Sequence, residues 1–577
     1  MADNEQMSFE FMERKPIKGY PELRWTGKRP YRSTVYYPAQ LKEVYGQEKD
    51  GWFNKIFWGD NLQVMSHLLK DYRGKIDLIY IDPPFDSKAD YKKRIKLKGK
   101  TIENDQSTFE EKQYGDIWTN DEYLQFMYER LILCKELLSD TGSIYLHCDW
   151  HKSSHLRLLM DEVFGVDCFR NEIIWWYLWG GRGKTQWNSK HDNILFYSKS
   201  NNWTFNYLDV LDNHNLMTEG SKNRLNYAGA MVTTKSASSD IPEDKVLPSD
   251  TWYIATINAM AKEKENYPTQ KPEDLLEKII KASSNPGDIV FDCFMGSGTT
   301  QAVAMKLGRR FIGADINLGA IQTTTKRLIN VANDLNSQVD SEDKYTGFEV
   351  YNVNNYDLFR NPVEARDLIL QALEVQPYET SNVYDGEKDG RMIKIMPINR
   401  IATKADLQGI LSNLPYKQFE RIKEENPGAV VLKLTLVCMG HESDLAAALK
   451  QELSQYKTDI DVVDILHDRA DLQFKRDSEA DIVIEGNELV IKNFYPLNLM
   501  QKLSLDKETV DEWRQLVESV MIDFNYDGAV MQPTTIDLPD KDKMVAGRYK
   551  IPSDAGIIRV KITDVLSESL EVEVQNG

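Results

Sequence analysis

Ile76-Asp77-Leu78-Ile79-Tyr80-Ile81-Asp82-Pro83-Pro84-Phe85 is the stretch on which the reading of this chain turns. The first six residues are a short, largely apolar run and read as a buried parallel strand. The four that follow put a carboxylate, a stiff turn and an aromatic ring at one edge of a sheet. Pro83 and Pro84 have a fixed φ and no N–H to donate, so the carbonyls stay available as acceptors. An acceptor-only pocket with an aromatic wall suits a planar base that carries an amino group. Taken alone, Asp-Pro-Pro is also a common plain turn.

A second stretch lies roughly 200 residues downstream. Asp288-Ile-Val-Phe-Asp292 reads as another buried strand. It runs into the turn Cys293-Phe294-Met295-Gly296-Ser297-Gly298-Thr299-Thr300, then into a helical pattern from Gln301 to Leu307 closed by Gly308. Strand, glycine-rich turn and helix form the layout of a nucleotide-type cofactor site. Glycines there let a cofactor approach the backbone closely. The next strand, Arg310 to Ala314, ends in Asp315, placed to accept hydrogen bonds from ribose hydroxyls. The turn lacks the third glycine of a pyrophosphate-binding loop, which favours a cofactor without pyrophosphate. A ligand-free tight turn and a dinucleotide enzyme are the competing readings.

A third signal is Tyr267-Pro268-Thr269-Gln270-Lys271-Pro272, which precedes a helical pattern carrying Leu275, Leu276, Ile279 and Ile280. Pro272 falls in the first turn, where a missing N–H costs nothing. Read blandly, this is a loop and a helix start.

With these three motifs in this order, the chain resembles the amino-methyltransferases of DNA in their permuted, β-class arrangement, catalytic motif first and cofactor motif last. The resemblance runs from about Tyr36 to Asn330 and includes Trp58-Gly-Asp-Asn61 and Gly142-Ser-Ile-Tyr-Leu-His-Cys-Asp149. It is similar overall to the larger members, among them modification subunits of type III restriction systems. Two departures stand out: Phe85 replaces the commoner Tyr, and Cys293 and Met295 stand where Pro and small residues are frequent. The resemblance implies S-adenosylmethionine as cofactor, held by Asp292, Phe294, Gly296, Gly298 and Asp315 with Thr269 and Lys271 beside them. It implies a catalytic set of Asp82, Pro83, Pro84 and Phe85. Asp rather than Ser at the first place of that motif favours adenine over cytosine within the family.

The implied chemistry is transfer of a methyl group to the N6 amine of an adenine. That amine is a poor nucleophile because its lone pair is delocalised into the ring. The Asp82 carboxylate and the Pro83 carbonyl would each accept one N–H, and Phe85 would stack on a base that has left the duplex. Transfer to the cytosine N4 amine, a catalytically silent DNA-binding subunit of a restriction complex, and a dinucleotide oxidoreductase are the alternatives.

The expected fold class is α/β: a Rossmann-like, doubly wound methyltransferase sheet with a loop-rich target-recognition insert and a smaller α+β C-terminal domain. The expected division is an N-terminal arm over 1–50, a methyltransferase domain over 51–335 with the insert at about 180–255, and an acidic domain over 375–577 for partner or dimer docking. Helices are expected over Asp60–Tyr72 and Asp121–Leu138, the second ended by Gly142, with Ser143–His147 the next strand. From Ile173 to Trp179 an aromatic strand is expected, with Trp175 and Trp176 as core residues.

With 577 residues, the chain is long enough for two or three domains, and its 41% hydrophobic content is ordinary for a globular enzyme. It has no apolar run long enough to span a membrane, and its polar, acidic start does not read as a secretory signal. The five cysteines are scattered without a Cys-x-x-Cys pair, as expected of reduced thiols in a cytoplasm. The net charge of −19 is unusual for a DNA-binding protein, but residues 361–577 carry −14 of it. Tyr91–Lys100 carries six positive charges and no negative one, so Lys92, Lys93 and Arg94 are candidate phosphate contacts beside the catalytic motif. Arg182 and Lys184, with Trp176, Trp179 and Trp187, are candidates to grip and stack unpaired bases. His147, His151 and His155 are four apart, which on one helix would make a metal-binding stripe; since His147 ends a strand, the three are not expected to share a helix. The implied partners are DNA, a helicase-nuclease restriction subunit and a second copy of the chain.

Overall fold

Strand Ile76–Ile81 lies in the middle of a ten-stranded sheet. The structure is a computed structural model that describes most of residues 8–575. Outside the described part are chiefly 12–21, 85–92, 105–119, 179–183, 214–240, 338–343, 354–369, 465–477 and 501–511, with both termini and some shorter stretches. In chain order the strands of the large sheet are β1 (Gln40–Tyr45), β2 (Asn54–Gly59), β3 (Ile76–Ile81), β4 (Leu138–Cys148), β5 (Phe169–Trp176), β6 (His191–Ser198), β7 (Thr251–Tyr253), β8 (Ile289–Asp292), β9 (Arg310–Asp315) and β10 (Phe348–Val353). Across the sheet they run β7-β5-β6-β4-β3-β8-β9-β2-β10-β1. All neighbours pair in parallel except β6, antiparallel to both β5 and β4, and β1, antiparallel to β10.

Helices cover both faces. On one side are α1 (Asn61–Tyr72), α2 (Asn120–Leu137) and α3 (Ser153–Phe164); on the other are α4 (Glu273–Ser283), α5 (Thr299–Lys306) and α6 (Leu318–Asn336). Strand β3 shows why its apolar run is nearly continuous. Ile79 and Ile81 pack with Met65, Leu131 and Leu159 of the first set, whereas Leu78 and Tyr80 pack with Ile279, Val303 and Ile321 of the second. A parallel strand with both faces covered cannot alternate apolar with polar. Local signals set the helix starts. Asp60 caps α1, its Oδ1 accepting from the Leu62 and Gln63 N–H groups at 2.9 and 3.3 Å. Pro272 is the N-cap of α4 rather than a residue of its first turn.

The sheet is the doubly wound α/β sheet expected, with differences in detail. Gly142 does not separate a helix from a strand. Helix α2 ends at Leu137 and β4 begins at once, because Leu138 already pairs with Ile76. The aromatic strand stops at Trp176, short of Trp179. Residues 1–50 are not all irregular arm: Gln40–Tyr45 is the edge strand β1, and Ser8–Glu10 pairs with Ser33–Val35. The span read as an insert, about 180–255, contains β6 and β7, both built into the large sheet. Among the described residues no helix is long and apolar enough to cross a membrane.

Beyond the sheet lie two further hydrophobic cores. One gathers β11 (Arg391–Ile395), β12 (Leu432–Cys438) and β13 (Thr458–Asp464) with the helices Tyr416–Glu425 and Leu445–Glu452. The other joins β14 (Glu479–Glu485), β15 (Glu488–Tyr495), β16 (Val517–Asp523), β17 (Ile557–Asp564) and β18 (Ser569–Gln575). The second core is fastened to the large sheet. Met531 exchanges backbone hydrogen bonds with β1: the Val44 N–H donates to its carbonyl at 3.0 Å, and its own N–H donates to the Lys42 carbonyl at 2.9 Å. Lys561 on β17 forms a buried ion pair with Glu43, which also accepts from the Tyr45 hydroxyl at 2.7 Å. Lys326 on α6 pairs with Glu518 at 2.5 Å.

Removing one partner of a buried ion pair strands the other charge away from water. Lys561→Met is therefore expected to destabilise the protein by about 3 kcal/mol, read as a lowered urea midpoint. A midpoint equal to wild type would show that the pair does not hold the C-terminal core to β1.

Candidate active site

Three carboxylates lie in a row at the carboxyl edge of the sheet, because three adjacent parallel strands each end in or just before an aspartate. Asp82 follows β3, Asp292 ends β8, and Asp315 ends β9. From β3 the chain goes to β4 on one side and later to β8 and β9 on the other. Such a reversal of strand order opens a crevice outside the strand ends, the usual ligand position in open α/β sheets.

The Asp292 side chain is consumed by the turn that follows it. Its Oδ1 accepts from the Phe294 N–H at 3.0 Å and its Oδ2 from the Thr300 hydroxyl at 2.6 Å. Gly296 and Gly298 have φ of +53° and +70°. A Cβ on Gly298 would meet Thr324 at 2.5 Å, and one on Gly296 would press the Tyr267 ring at 3.2 Å; only glycine gives this backbone without strain or collision. Asp315 accepts from the Gly296 N–H through Oδ2 and from the Asn317 N–H through Oδ1, both at 2.8 Å. Burial pushes the Asp292 carboxyl up to about 7; the bonds from Thr300 and Phe294 oppose this, and the charges of Asp82 and Asp315 add to it. Burial likewise pushes Asp315 to about 6 against its backbone hydrogen bonds.

Asp82 is held differently. Its Oδ2 forms an ion pair with the Lys271 ammonium, and both side chains are largely covered. Its Oδ1 is buried and has no hydrogen-bond partner among the described residues. Next to it, Tyr80 and His147 share a hydrogen bond of 2.8 Å, and the other ring nitrogen of His147 lies 3.2 Å from an Asp192 carboxylate oxygen. The Tyr177 hydroxyl donates to the second oxygen of Asp192 at 3.2 Å. Burial works to raise the Asp192 carboxyl, but bonds from His147 and Tyr177 and the charges of His147 and Lys271 overcome it and leave it below the usual range. Burial first, then the charges of Asp82, Asp292 and Asp192, hold the Tyr80 phenol well above its ordinary value.

The structure thus brings Asp82, Lys271, Asp292, Gly296, Gly298 and Asp315 to one edge of the sheet. Pro83 is buried and Pro84 half-buried beside them, Phe294 lies against Phe126 with ring centroids 6.2 Å apart, and Thr269 is exposed. Phe85, Lys92, Trp179 and Arg182 lie outside the described residues. Lys93 and Arg94 stand on a hairpin of Lys93–Leu97 and Lys100–Asn104, and Lys184 is exposed. Trp175 is a core residue, its indole N–H donating to the Ile254 carbonyl at 2.9 Å. Trp176 is not: it faces the opposite side from Trp175 at the last position of β5, beside the short edge strand β7, where it is 39% exposed and packs on Tyr253 at 4.5 Å. Trp187 is 97% exposed. His147, His151 and His155 lie on a strand, a turn and a helix.

Sequence reasoning missed a clamp behind the cofactor turn. Arg130 of α2 donates to Asn61 Oδ1 at 2.5 Å and to Asp60 at 2.8 Å, and Asn61 Nδ2 donates to the Cys293 carbonyl at 3.1 Å. The signal was present: Arg130 is a charge on the buried stripe formed by Met127, Leu131 and Cys134. Asp192, in the polar run His191-Asp192-Asn193 that opens β6 ahead of its apolar residues, was equally visible.

The arrangement fits the cofactor implied by the motifs. The glycine turn has no room for side chains, and the adjacent strand ends in a carboxylate with acceptor capacity at the crevice. A family model described as DNA methylase, of the N6/N4 type, matches residues 76–326. The DNA adenine methyltransferase YhdJ of Escherichia coli (strain K12) is 31% identical over 275 residues, which cover 47% of this chain and 82% of that protein. The type II methyltransferase M.HpaI of Haemophilus parainfluenzae is 30% identical over 315 residues, covering 53% of this chain and 87% of that one. The Mod subunit of the type III restriction-modification enzyme StyLTI of Salmonella typhimurium (strain LT2) is 31% identical over 182 residues, 29% of this chain and 27% of its own length.

The raised carboxyls make stability depend on pH. Between about 4, where an aspartate of the unfolded chain ionises, and about 7, the folded protein holds a proton on Asp292 that the unfolded chain has lost. Stability therefore falls as pH rises through that window and levels off above it. Asp292→Asn keeps an acceptor for the Phe294 N–H and cannot titrate, so it is expected to flatten the fall in urea midpoint between about pH 5 and pH 7. Equal slopes in the two proteins would overturn this assignment.

Proposed function

The chain belongs to the N6/N4 family of DNA methylases, and from that premise we propose a site-specific DNA methyltransferase acting on the N6 amine of a flipped adenine, within a restriction-modification or defence system. S-adenosylmethionine, the cofactor, supplies an electrophilic methyl group carried on a sulfonium. The residues of the chain do the rest by position and electrostatics. The glycine turn, with Asp292 inside it and Asp315 beside it, receives the cofactor. Asp82 and the Pro83 carbonyl each accept one N–H of the substrate amine and draw its lone pair out of the ring plane. Asp82 acts mainly as an acceptor, because the nitrogen loses its proton only once it carries positive charge.

The observation that carries this reading is the buried Asp82 Oδ1, which has no hydrogen-bond partner among the described residues and lies one strand away from the cofactor turn. Leaving a buried carboxylate oxygen unsatisfied costs stability, and an incoming N–H removes that cost. Asp at this position and the likeness to an adenine methyltransferase support adenine over cytosine. The exposed Trp176, Trp187 and Lys184 support contact with DNA near the strand ends. A helicase-nuclease partner and a homodimer extend the reading on the strength of the family resemblance.

The test is to incubate the protein with genomic DNA and S-adenosylmethionine, digest the DNA and analyse its nucleosides. N6-methyladenine is expected, with Asp82→Ala lowering the rate by about 10³-fold, as for loss of one preorganised electrostatic group. N4-methylcytosine would move the substrate to the other amine, and an unimpaired Asp82→Ala would overturn the mechanism.

A further inference from the structure

The loop that carries Lys271 is a built element. Gln270 holds it from both sides, its Oε1 accepting from the Glu265 N–H at 2.8 Å and its Nε2 donating to the Glu263 carbonyl at 2.6 Å. Glu263 in turn accepts from the Glu273 N–H at 2.9 Å, at the first residue of α4. The Lys271 carbonyl accepts from the Thr299 hydroxyl at 3.3 Å, and Thr299 opens the helix after the glycine turn. Arg327 of α6 donates to that same hydroxyl at 2.9 Å and to the Ser297 carbonyl at 3.2 Å. The backbone of Lys271 is thereby fixed to the cofactor turn, while its side chain reaches across to the end of β3.

Its ammonium occupies only one oxygen of Asp82. The side chains of the pair are 14% and 16% exposed. A carboxylate offers about four acceptor directions over two oxygens. With Oδ2 committed to Lys271, turning the carboxylate about its last side-chain bond would break that pair, so the pair holds Oδ1 where it stands. That oxygen is the buried one with no hydrogen-bond partner among the described residues.

We propose that Lys271 is a positioning residue for the methyl-transfer step: by holding Asp82 Oδ2 it presents Oδ1 to the N–H of the substrate amine, and through Thr299 it ties that orientation to the cofactor turn. This rests on the reading of the site as an amine methylase and assigns Lys271 a role other than contact with the cofactor. The carboxylate is occupied on one side before substrate arrives, so it does not reorganise during the reaction. Lysine suits the task because its ammonium is a compact point charge that fixes one oxygen without covering both, as a bidentate guanidinium would.

The experiment uses the full chain and the variants Lys271→Met, Lys271→Arg, Asp82→Ala and the double variant Asp82→Ala/Lys271→Met. Cofactor affinity is read by titration calorimetry with S-adenosylmethionine, and kcat from methyl transfer to genomic DNA at saturating cofactor. Lys271→Met is expected to lower kcat by about 10²-fold, the scale of a misplaced catalytic group, with cofactor Kd within about twofold of wild type. Lys271→Arg recovers part of the loss, and the double variant is no slower than Asp82→Ala alone, because Lys271 acts through Asp82. A cofactor Kd that rises while kcat at saturation stays at the wild-type value would overturn the proposal and make Lys271 a cofactor ligand. Additive losses in the double variant would also overturn it. If Asp82→Ala were as active as wild type, the reading of the site would fall first, a result that the calorimetry on Lys271→Met cannot produce.

Discussion

Everything at the carboxyl edge of the sheet follows from one electrostatic constraint: three aspartates stand at the ends of adjacent parallel strands, β3, β8 and β9, where water is largely excluded. Paired strands are about 5 Å apart, so the carboxylates repel one another in a medium that screens poorly. Each is met in a different way. Asp315 takes backbone N–H groups of Gly296 and Asn317. Asp292 takes the Phe294 N–H and the Thr300 hydroxyl. Asp82 takes a full positive charge from Lys271. Burial pushes the carboxyls of Asp292 and Asp315 up toward neutrality. The one kept with a cation is Asp82, whose second oxygen has no hydrogen-bond partner among the described residues. The loop before α4 is thus required by the catalytic motif almost 200 residues earlier in the sequence, and the order of the two motifs along the chain is immaterial once the sheet places β8 against β3.

Much of this was legible because the chemistry-bearing residues sit where elements change. A strand that must stop at a crevice stops at residues that break the strand pattern: Asp82-Pro83-Pro84, and Asp292 followed by the glycine turn. Short apolar runs with both faces covered gave the central strands nearly residue for residue. What was not legible depended on tertiary pairing. Nothing local to Gln40–Tyr45 says that it becomes an edge strand; β10 supplies one partner and Met531 the other, both from hundreds of residues further along the chain. Gly142 carries the signature of a helix stop, yet β3 draws Leu138 into the sheet first. The sequence pattern puts Trp176 in the core with Trp175, but it ends β5 beside the short edge strand β7, where its face of the sheet is left partly open. The link between Lys271 and Asp82 had no sequence signal beyond the presence of both motifs.

The network behind β3 explains why an apolar strand carries a tyrosine. Tyr80 faces the side of the sheet covered by α4 to α6, and its hydroxyl is satisfied by His147 on the neighbouring strand; His147 is satisfied in turn by Asp192, which also accepts from the Tyr177 hydroxyl. Asp192 lies on β6, the strand that runs against its neighbours. A reversed strand brings its N-terminal end to the crevice edge, so the acid that opens β6 reaches the same edge as the acids that close β3, β8 and β9. The histidine spacing that suggested a metal stripe is instead the footprint of a strand, a turn and a helix meeting there, with only His147 turned into the protein.

The acidity of the C-terminal part is also structural in part. Residues 361–577 carry most of the net charge, yet several of their acids are committed to cations that fasten this part together or to the methylase sheet. Glu571 and Glu573 hold Arg559 across β17 and β18, and Glu518 holds Lys326 of α6. The cation that reaches furthest is Lys561, which answers Glu43 of β1. Edge strand β1 would otherwise present a bare row of donors and acceptors beside a buried glutamate. With Met531 pairing along it and Lys561 neutralising Glu43, the edge is closed.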